Sequence, residues 1–244
     1  MEEIIAGTFH GSRIFRLDQD SSRKKDAIFD LIEKMRAGEI DILLGTQMVA
    51  KGFDFHNVAV VGVILADIGL NSTDFRASER VFSLLLQVAG RGGRGDVPGR
   101  VIIQTLNEDN ALLKFLGRHD YEGFYRHELA ARKALGYPPF SRLINFRMEG
   151  ASRKKTADFS DRLGALAHSL LRKEGRFRDG IELLGPAAAP WEKIKGKYRF
   201  QMAVKGSSLT LLRGFASRLI SRAPEMIKGS GVAFSVDVDP VSLL

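Results

Sequence analysis

The sequence predicts an α/β chain in two parts: a lobe built on a parallel sheet, then an α+β domain of the ferredoxin-like β-α-β-β-α-β order. Three observations carry this. Short continuous apolar runs alternate with helical periodicity as far as residue 105. The stretch GYPPFSR at 136–142 then excludes a helix interior, because adjacent prolines fix φ and remove two donors. After it the pattern changes to strand, helix, strand, strand, helix, strand.

In the first part, SRIFRLDQD (12–20) reads as a strand entering a polar turn. SRKKDAIFDLIEKMRAGE (22–39) reads as an amphipathic helix, with Ile28, Leu31, Ile32 and Met35 at three- and four-residue spacing. IDILLGT (40–46) and the valine-rich VAVVGVILAD (58–67) read as buried strands. DFRASERVFSLLLQVAGR (74–91) is helical with Phe82, Leu85, Leu86 and Ala89 inward, and GRVIIQT (99–105) is a further strand. Such strands alternating with helices form a parallel sheet covered on both faces. Ligands of such sheets bind at the carboxyl ends of the strands, where Gly45-Thr46-Gln47 lies.

Residues 108–134 read as helices linking the parts. In the second part RLINFRMEG (142–150) alternates as a strand, and 153–173 is a helix containing Phe159, Leu163, Leu166 and Leu170. IELLGPAAAPW (181–191) starts as a strand and ends in a Pro/Ala loop. KYRFQMAVKG (197–206) places Tyr198, Phe200, Met202 and Val204 on one face, 208–222 is a helix, and VAFSVDVDP (232–240) is the last strand. The division is therefore 1–110 for the lobe, 111–140 for a helical linker and 141–244 for the C-terminal α+β domain.

The chain has 244 residues, 44% of them hydrophobic, enough for two domains with buried cores. It has no cysteine, which excludes disulfides, a thiol nucleophile and a cysteine zinc site. No apolar run reaches membrane-spanning length, and the N-terminal MEEIIAGTFHGSR lacks a signal-peptide pattern, so the expectation is a cytoplasmic protein with no membrane partner. The net charge of +8 is uneven: 13 basic against 16 acidic residues over 1–110, and 24 against 13 over 111–244. A basic C-terminal part fits a polyanionic partner such as nucleic acid, or a solvated surface.

Two motifs carry chemistry. QVAGRGGR (87–94) places Gln87, Arg91 and Arg94 at i, i+4 and i+7, on one helix face, among glycines at 90, 92, 93 and 95. Glycine weakens a helix but lets a ligand approach the backbone, and guanidinium groups suit bidentate phosphate recognition. The alternative is a solvated helix face ended by glycine. Upstream, LLGTQMVAKGFDF (43–55) sets Gly45, Thr46 and Gln47 at a strand end and Lys51-Gly52 in a turn, donors suited to a phosphate or a strand backbone.

GTQMVAKGFDFHNV followed by DFRASERVFSLLLQVAGRGGR resembles the second motor lobe of superfamily-two helicases, and more narrowly the primosomal replication helicase (PriA) family. YPPF, GPAAAPWEKIKGKYRFQM and the terminal DVDP resemble that family's C-terminal domain, so the resemblance covers nearly the whole chain. It implies a RecA-like lobe and ATP-dependent 3′-to-5′ DNA unwinding in replication restart and primosome assembly. It implies that Gln87, Arg91 and Arg94 reach ATP phosphates from the second lobe, and that Gly45, Thr46, Gln47, Lys51 and Gly52 couple nucleotide to DNA. The implied partners are forked or single-stranded DNA, single-stranded-DNA-binding protein and primosome proteins.

The departures bear on what this chain does alone. Nothing reads G-x-x-x-x-G-K-[ST], and no Asp-Glu motif stands in a motor context to hold magnesium. ATP and Mg²⁺ are therefore expected only in a complete motor with a first lobe, and zinc is not bound by this chain. Phe53 and His56 stand where histidine and proline are common, and Gly92 replaces an alanine. The chain reads as the C-terminal part of such a helicase, either truncated or one part of a split enzyme with a separate first-lobe chain. The alternative is a non-enzymatic DNA- or protein-binding module on a passive scaffold.

Other residues carry open readings. Trp191, Lys193, Lys195, Lys197, Tyr198 and Arg199 interleave aromatic and basic groups around Gly196, as a surface that stacks bases and holds phosphates or as a solvated turn over core aromatics. Asp67 reads as a cap of the following turn or as a cleft carboxylate. Asp74, Arg76, Glu79 and Arg80 read as ion pairs within the lobe. The five histidines show no ligand spacing.

Overall fold

A computed structural model describes residues 1–17, 25–46, 55, 58–90 and 99–243, the side chains of 25–27 excepted. The chain forms two compact units: Met1–Asn71 with Ser78–Tyr121, and Ser72–Ala77 with Glu122–Leu244.

In the first unit α1 (Glu2–Thr8) precedes β1 (Ile14–Leu17), and α2 (Lys25–Arg36) crosses over to β2 (Ile42–Gly45). The two strands pair in parallel, Ile14 opposite Ile42 and Leu17 opposite Gly45. Leu17 and Leu31, from β1 and α2, are sealed from solvent. Arg13 ties this pair at its start: its backbone N–H and Nε donate to Asp41 Oδ2 at 2.8 and 2.9 Å, and Nη2 donates to Oδ1 at 2.7 Å. A second parallel pair joins β3 (Val60–Val63) to β4 (Arg100–Ile103), with α3 (Asp67–Leu70) and α4 (Ala77–Ala89) between them in sequence. Val81, Phe82 and Leu85 form the buried face of α4, as its three- and four-residue spacing requires.

The α/β character is as the sequence reading expects, but the coverage of the sheet is not. Among the described residues the four strands form two separate pairs. β3 and β4 alternate exposed and half-buried residues, with Val60 56% and Ile102 61% exposed, so one face of this pair is open. A valine-rich run looks the same whether one face or two are covered.

α5 (Ala111–Gly117) and α6 (Tyr121–Ala134) follow. The second unit then runs β5 (Arg142–Gly150), α7 (Arg153–Lys173), the short α8 (Gly175–Arg178), β6 (Glu182–Ile194), β7 (Lys197–Gly206), α9 (Leu209–Ile227) and β8 (Val232–Val238). The sheet order is β6-β7-β5-β8, and every neighbouring pair is antiparallel. β5 and β6 are thus parallel with β7 between them, the split β-α-β arrangement of the ferredoxin-like order. Alternation puts Ile144, Phe146 and Met148 of β5 opposite Val204, Met202 and Phe200 of β7. These residues pack against Phe159, Leu163, Ala167 and Leu170 of α7 and Leu212, Phe215 and Leu219 of α9. Each large side chain buried this way contributes about 1.5–3 kcal/mol. Ser152 and Ser208 cap α7 and α9, their hydroxyls accepting from the N–H of Lys155 and Leu211.

Two boundaries differ from the sequence reading. β6 does not end in a Pro/Ala loop near Trp191 but continues to Ile194, with register shifts between Leu184 and Ala187 and between Ala188 and Lys193. It is an edge strand, where a residue without an N–H is tolerated, so Pro186 and Pro190 bend it without ending it. α9 runs past 222 to Ile227 with Pro224 inside it. Pro224 leaves the Ile220 carbonyl without its helical donor, and Ile220 is 41% exposed to solvent. Gly164 faces Pro186 so closely that a β-carbon there would lie 2.6 Å from the proline Cδ. A glycine inside α7 therefore sets how near the helix lies to β6.

Candidate nucleotide-facing and nucleic-acid-facing residues

Helix α4 turns Phe82 and Leu85 inward, and Gln87, two residues later, is exposed on the other side. Gly90 still donates its N–H to the Leu86 carbonyl at 3.0 Å, so the helical pattern persists to the edge of the arginine motif. Arg91 and Arg94 lie outside the described residues, as do Gln47, Lys51 and Gly52. Gly45 and Thr46 stand exposed at the carboxyl end of the β1–β2 pair. Among the described residues, the predicted site residues of this unit with a side-chain donor are Thr46, by its hydroxyl, and Gln87, by its amide, and both are exposed. These suit phosphate oxygens rather than a metal. Among the described residues no cluster of three or more His, Asp or Glu side chains is placed to hold a metal ion.

Asp67 does something other than cap its own turn or face a cleft. The N-cap of α3 is Ala66. The Asp67 carboxylate accepts from the Leu106 N–H at 2.8 Å and the Thr105 hydroxyl at 2.9 Å, 38 residues on, fastening the end of β4. The Leu106 N–H, foremost, holds this carboxyl below the usual carboxylate range, against the opposing effect of burial.

The aromatic-basic segment of the second unit is a β-hairpin. Ile194 pairs with Lys197, leaving a two-residue turn of Lys195 and Gly196 with φ of 48° and 79°. Two successive positive φ angles make the type I′ turn that matches strand twist. Glycine supplies the second at no steric cost, whereas Lys195 holds a conformation that side chains disfavour. Lys193, Lys195 and Lys197 are exposed, and Trp191 is 60% exposed. Lys193 pairs with Tyr198 across the strands, and its Nζ lies 4.9 Å from the tyrosine ring centre. The cross-strand pairs put Lys193 and Tyr198 on one side and Ile194 and Lys197 on the other. Arg199 is not part of this open surface. It pairs across strands with Glu149, Nε to Oε1 3.1 Å, and its side chain is only 14% exposed.

One functional-looking group escapes the sequence reading. Asp74 also makes hydrogen bonds outside the charged stretch in which it stands. It belongs to the second unit, is buried, and accepts from the Ser242 hydroxyl at 2.6 Å and the Leu243 N–H at 2.9 Å. Its other oxygen accepts from the Arg76 N–H at 2.9 Å. An aspartate just ahead of a helix start is a local signal of capping, but nothing local announces a partner 168 residues away.

Comparison with known proteins agrees with this order of parts. Residues 2–96 match the Helicase conserved C-terminal domain, and residues 133–241 the Primosomal protein N C-terminal domain. The chain is 41% identical over its whole length to the Replication restart protein PriA of Treponema pallidum, of which it covers 36%. It is 36% identical over its whole length to that of Bacillus subtilis, covering 30%, and 37% identical over 99% of its length to that of Synechocystis, covering 28%. The chain thus spans about a third of the length of these relatives. A helicase C-terminal domain followed by a PriA C-terminal domain, with 36–41% identity along the whole chain, matches this chain to the C-terminal part of PriA.

Proposed function

We propose that the chain acts as the C-terminal part of an ATP-dependent 3′-to-5′ DNA helicase of replication restart and primosome assembly. It contributes the arginine side of the ATP site and a DNA-facing surface. The observation that carries the reading is Gln87: it stands on the solvent side of a helix whose opposite side is buried, one turn before Arg91. Arg91 and Arg94 follow Gln87 in the sequence at i+4 and i+7, the spacing of one helix face, and guanidinium groups suit a phosphate bound by another lobe. The glycines around them leave room for it. Gly45, Thr46, Gln47, Lys51 and Gly52 take the coupling role between nucleotide and DNA. ATP and Mg²⁺ enter with a first lobe, whose phosphate-cradling loop this sequence does not contain. DNA, forked or single-stranded, is the ligand of the second unit, with the hairpin at 191–197 as its contact. Single-stranded-DNA-binding protein and primosome proteins are the further partners proposed.

The test is ATP hydrolysis by this chain supplied with a PriA first lobe. Without that lobe no DNA-stimulated turnover is expected. With it, Arg91→Ala and Arg94→Ala should each lower turnover by about 10³-fold or more, the range for an arginine that stabilises charge on a transferred phosphoryl group. Near-normal turnover in both variants overturns the assignment.

A further inference from the structure

The sheet of the second unit has two edges, β6 and β8, and they are built differently. β6 carries Pro186, Pro190, two register shifts and the exposed Lys193. Proline, bulges and charge close a sheet edge to further strands. β8, VAFSVDV, has no proline and no glycine, and it pairs with β5 without a shift from Val232 to Val238.

The register shows which main-chain groups of β8 are already used. Asp239 donates its N–H to the Leu143 carbonyl at 2.8 Å, so these two form a hydrogen-bonded pair. Such pairs recur at every second residue of an antiparallel ladder. Asp237, Ser235 and Ala233 therefore bond to β5, opposite Asn145, Arg147 and Glu149. Phe234, Val236 and Val238 turn their N–H and C=O groups away from it. Val232 has the same phase and donates its N–H to the Ser230 hydroxyl at 3.0 Å, which ends the open row. Among the described residues no other strand pairs with this edge.

The side chains suit a second copy of the same strand, run antiparallel about a twofold axis at Val236. Phe234 then stands opposite Val238 of the second copy, and Val236 opposite its own counterpart. These contacts are apolar, and Val238 is 41% exposed in the chain alone. On the other face Ser235 stands opposite Asp237 of the second copy, a hydroxyl donor against a carboxylate, and Ala233 stands opposite Asp239. No like charges meet. A shift by one residue sets the open row against groups already bonded to β5, so this parity is fixed by the ladder.

We propose that β8 is a self-association edge, through which two copies of the chain join their sheets into one continuous antiparallel sheet. The proposal is independent of the reading of the ATP site.

The test uses the full chain. Sedimentation equilibrium from about 1 µM to 1 mM covers weak to moderate association and should show a monomer–dimer equilibrium. Residue-resolved amide exchange at both ends of that range locates the contact. The amides of Phe234, Val236 and Val238 should slow by about tenfold or more at high concentration, whereas those of Ser235 and Asp237 should be slow at both. Val238→Pro removes an outward N–H and leaves the β5 ladder intact. By symmetry it takes one bond from each copy, and the dimer should weaken by about 5- to 150-fold. Ser235→Lys sets a cation opposite Asp237 of the second copy, again twice, and the dimer should tighten by about 2- to 30-fold. A chain that stays monomeric throughout overturns the proposal and leaves the edge to a strand of another protein. A dimer in which the exchange of Phe234, Val236 and Val238 is unchanged, or which Val238→Pro does not weaken, forms elsewhere and also overturns it. A dimer that Ser235→Lys fails to tighten overturns the pairing about Val236. If Val238→Pro does not fold, exchange and Ser235→Lys decide.

Discussion

Replacing Lys193, Lys195 and Lys197 together with alanine tests whether the hairpin meets nucleic acid. All three side chains are exposed, so their loss should shift stability by no more than about 0.5 kcal/mol. Their loss from a phosphate contact is larger and has its own signature. Each contact with a single strand releases about 0.7 counterion, which appears as the slope of log affinity against log salt. Lys193 and Lys197 point to opposite sides of the hairpin, because their cross-strand partners are Tyr198 and Ile194. A strand crossing the tip reaches all three lysines, and the slope should flatten by about 2. A strand lying along one side reaches two, and the slope should flatten by about 1.4. For the three-contact case the native chain should lose about twenty-fold more affinity than the variant between about 50 and 200 mM salt. The chain contains a single tryptophan, so fluorescence of Trp191 reports binding directly in titrations of the full chain with an unstructured oligonucleotide. Trp191→Ala should weaken binding by about 1–3 kcal/mol, the range for base stacking, and leave the unfolding midpoint in place, because the ring is 60% exposed. A salt slope unchanged by the triple substitution, or Trp191 emission unmoved by saturating oligonucleotide, refutes the hairpin as the contact.

Two further expectations concern the scaffold. Gly164→Ala adds a β-carbon 2.6 and 2.7 Å from two ring atoms of Pro186, which are held in the edge strand. Overpacking of about 1–3 kcal/mol set against about 1 kcal/mol of helix propensity leaves a net loss of up to about 2 kcal/mol in denaturant unfolding; a gain in stability sinks the packing argument. Asp41 is held at about 2 by hydrogen bonds from Arg13, below its ordinary 3.8. Its folded value is depressed, so the tie between β1 and β2 is whole above about pH 4 and is lost as pH falls toward 2. A carboxyl-carbon NMR titration should show that midpoint, and Arg13→Ala should return it toward 3.8; an unmoved midpoint assigns the depression to another group.

Much of the second unit was legible because its signals are local and periodic. Alternation in 142–150 and 197–206, and the three- and four-residue spacing in 153–173, each name the face that ends in the shared core. Length was harder to read than type. β6 and α9 both run through proline, and whether proline ends an element depends on a neighbour the local sequence does not contain. For β6 that condition is an edge position. For α9 it is solvent at Ile220. The exposure of Val60 and Ile102 was hidden for a related reason: hydrophobic residues record a preference for burial, not the presence of a cover.

The chemistry-bearing residues divide along the same line. Gln87, Arg91 and Arg94 are singled out by helical spacing in the sequence, and the two arginines lie outside the described residues. Trp191 and the three lysines are recognisable from composition and from a glycine that permits a tight turn. Asp74 is neither. It stands in a charged stretch with Arg76, Glu79 and Arg80, yet it is buried and two of its hydrogen-bond partners stand near residue 243. A carboxylate is expensive to bury, so its position shows that the fold uses it. That use joins Ser242 and Leu243 to a segment 168 residues earlier in the chain, within one unit.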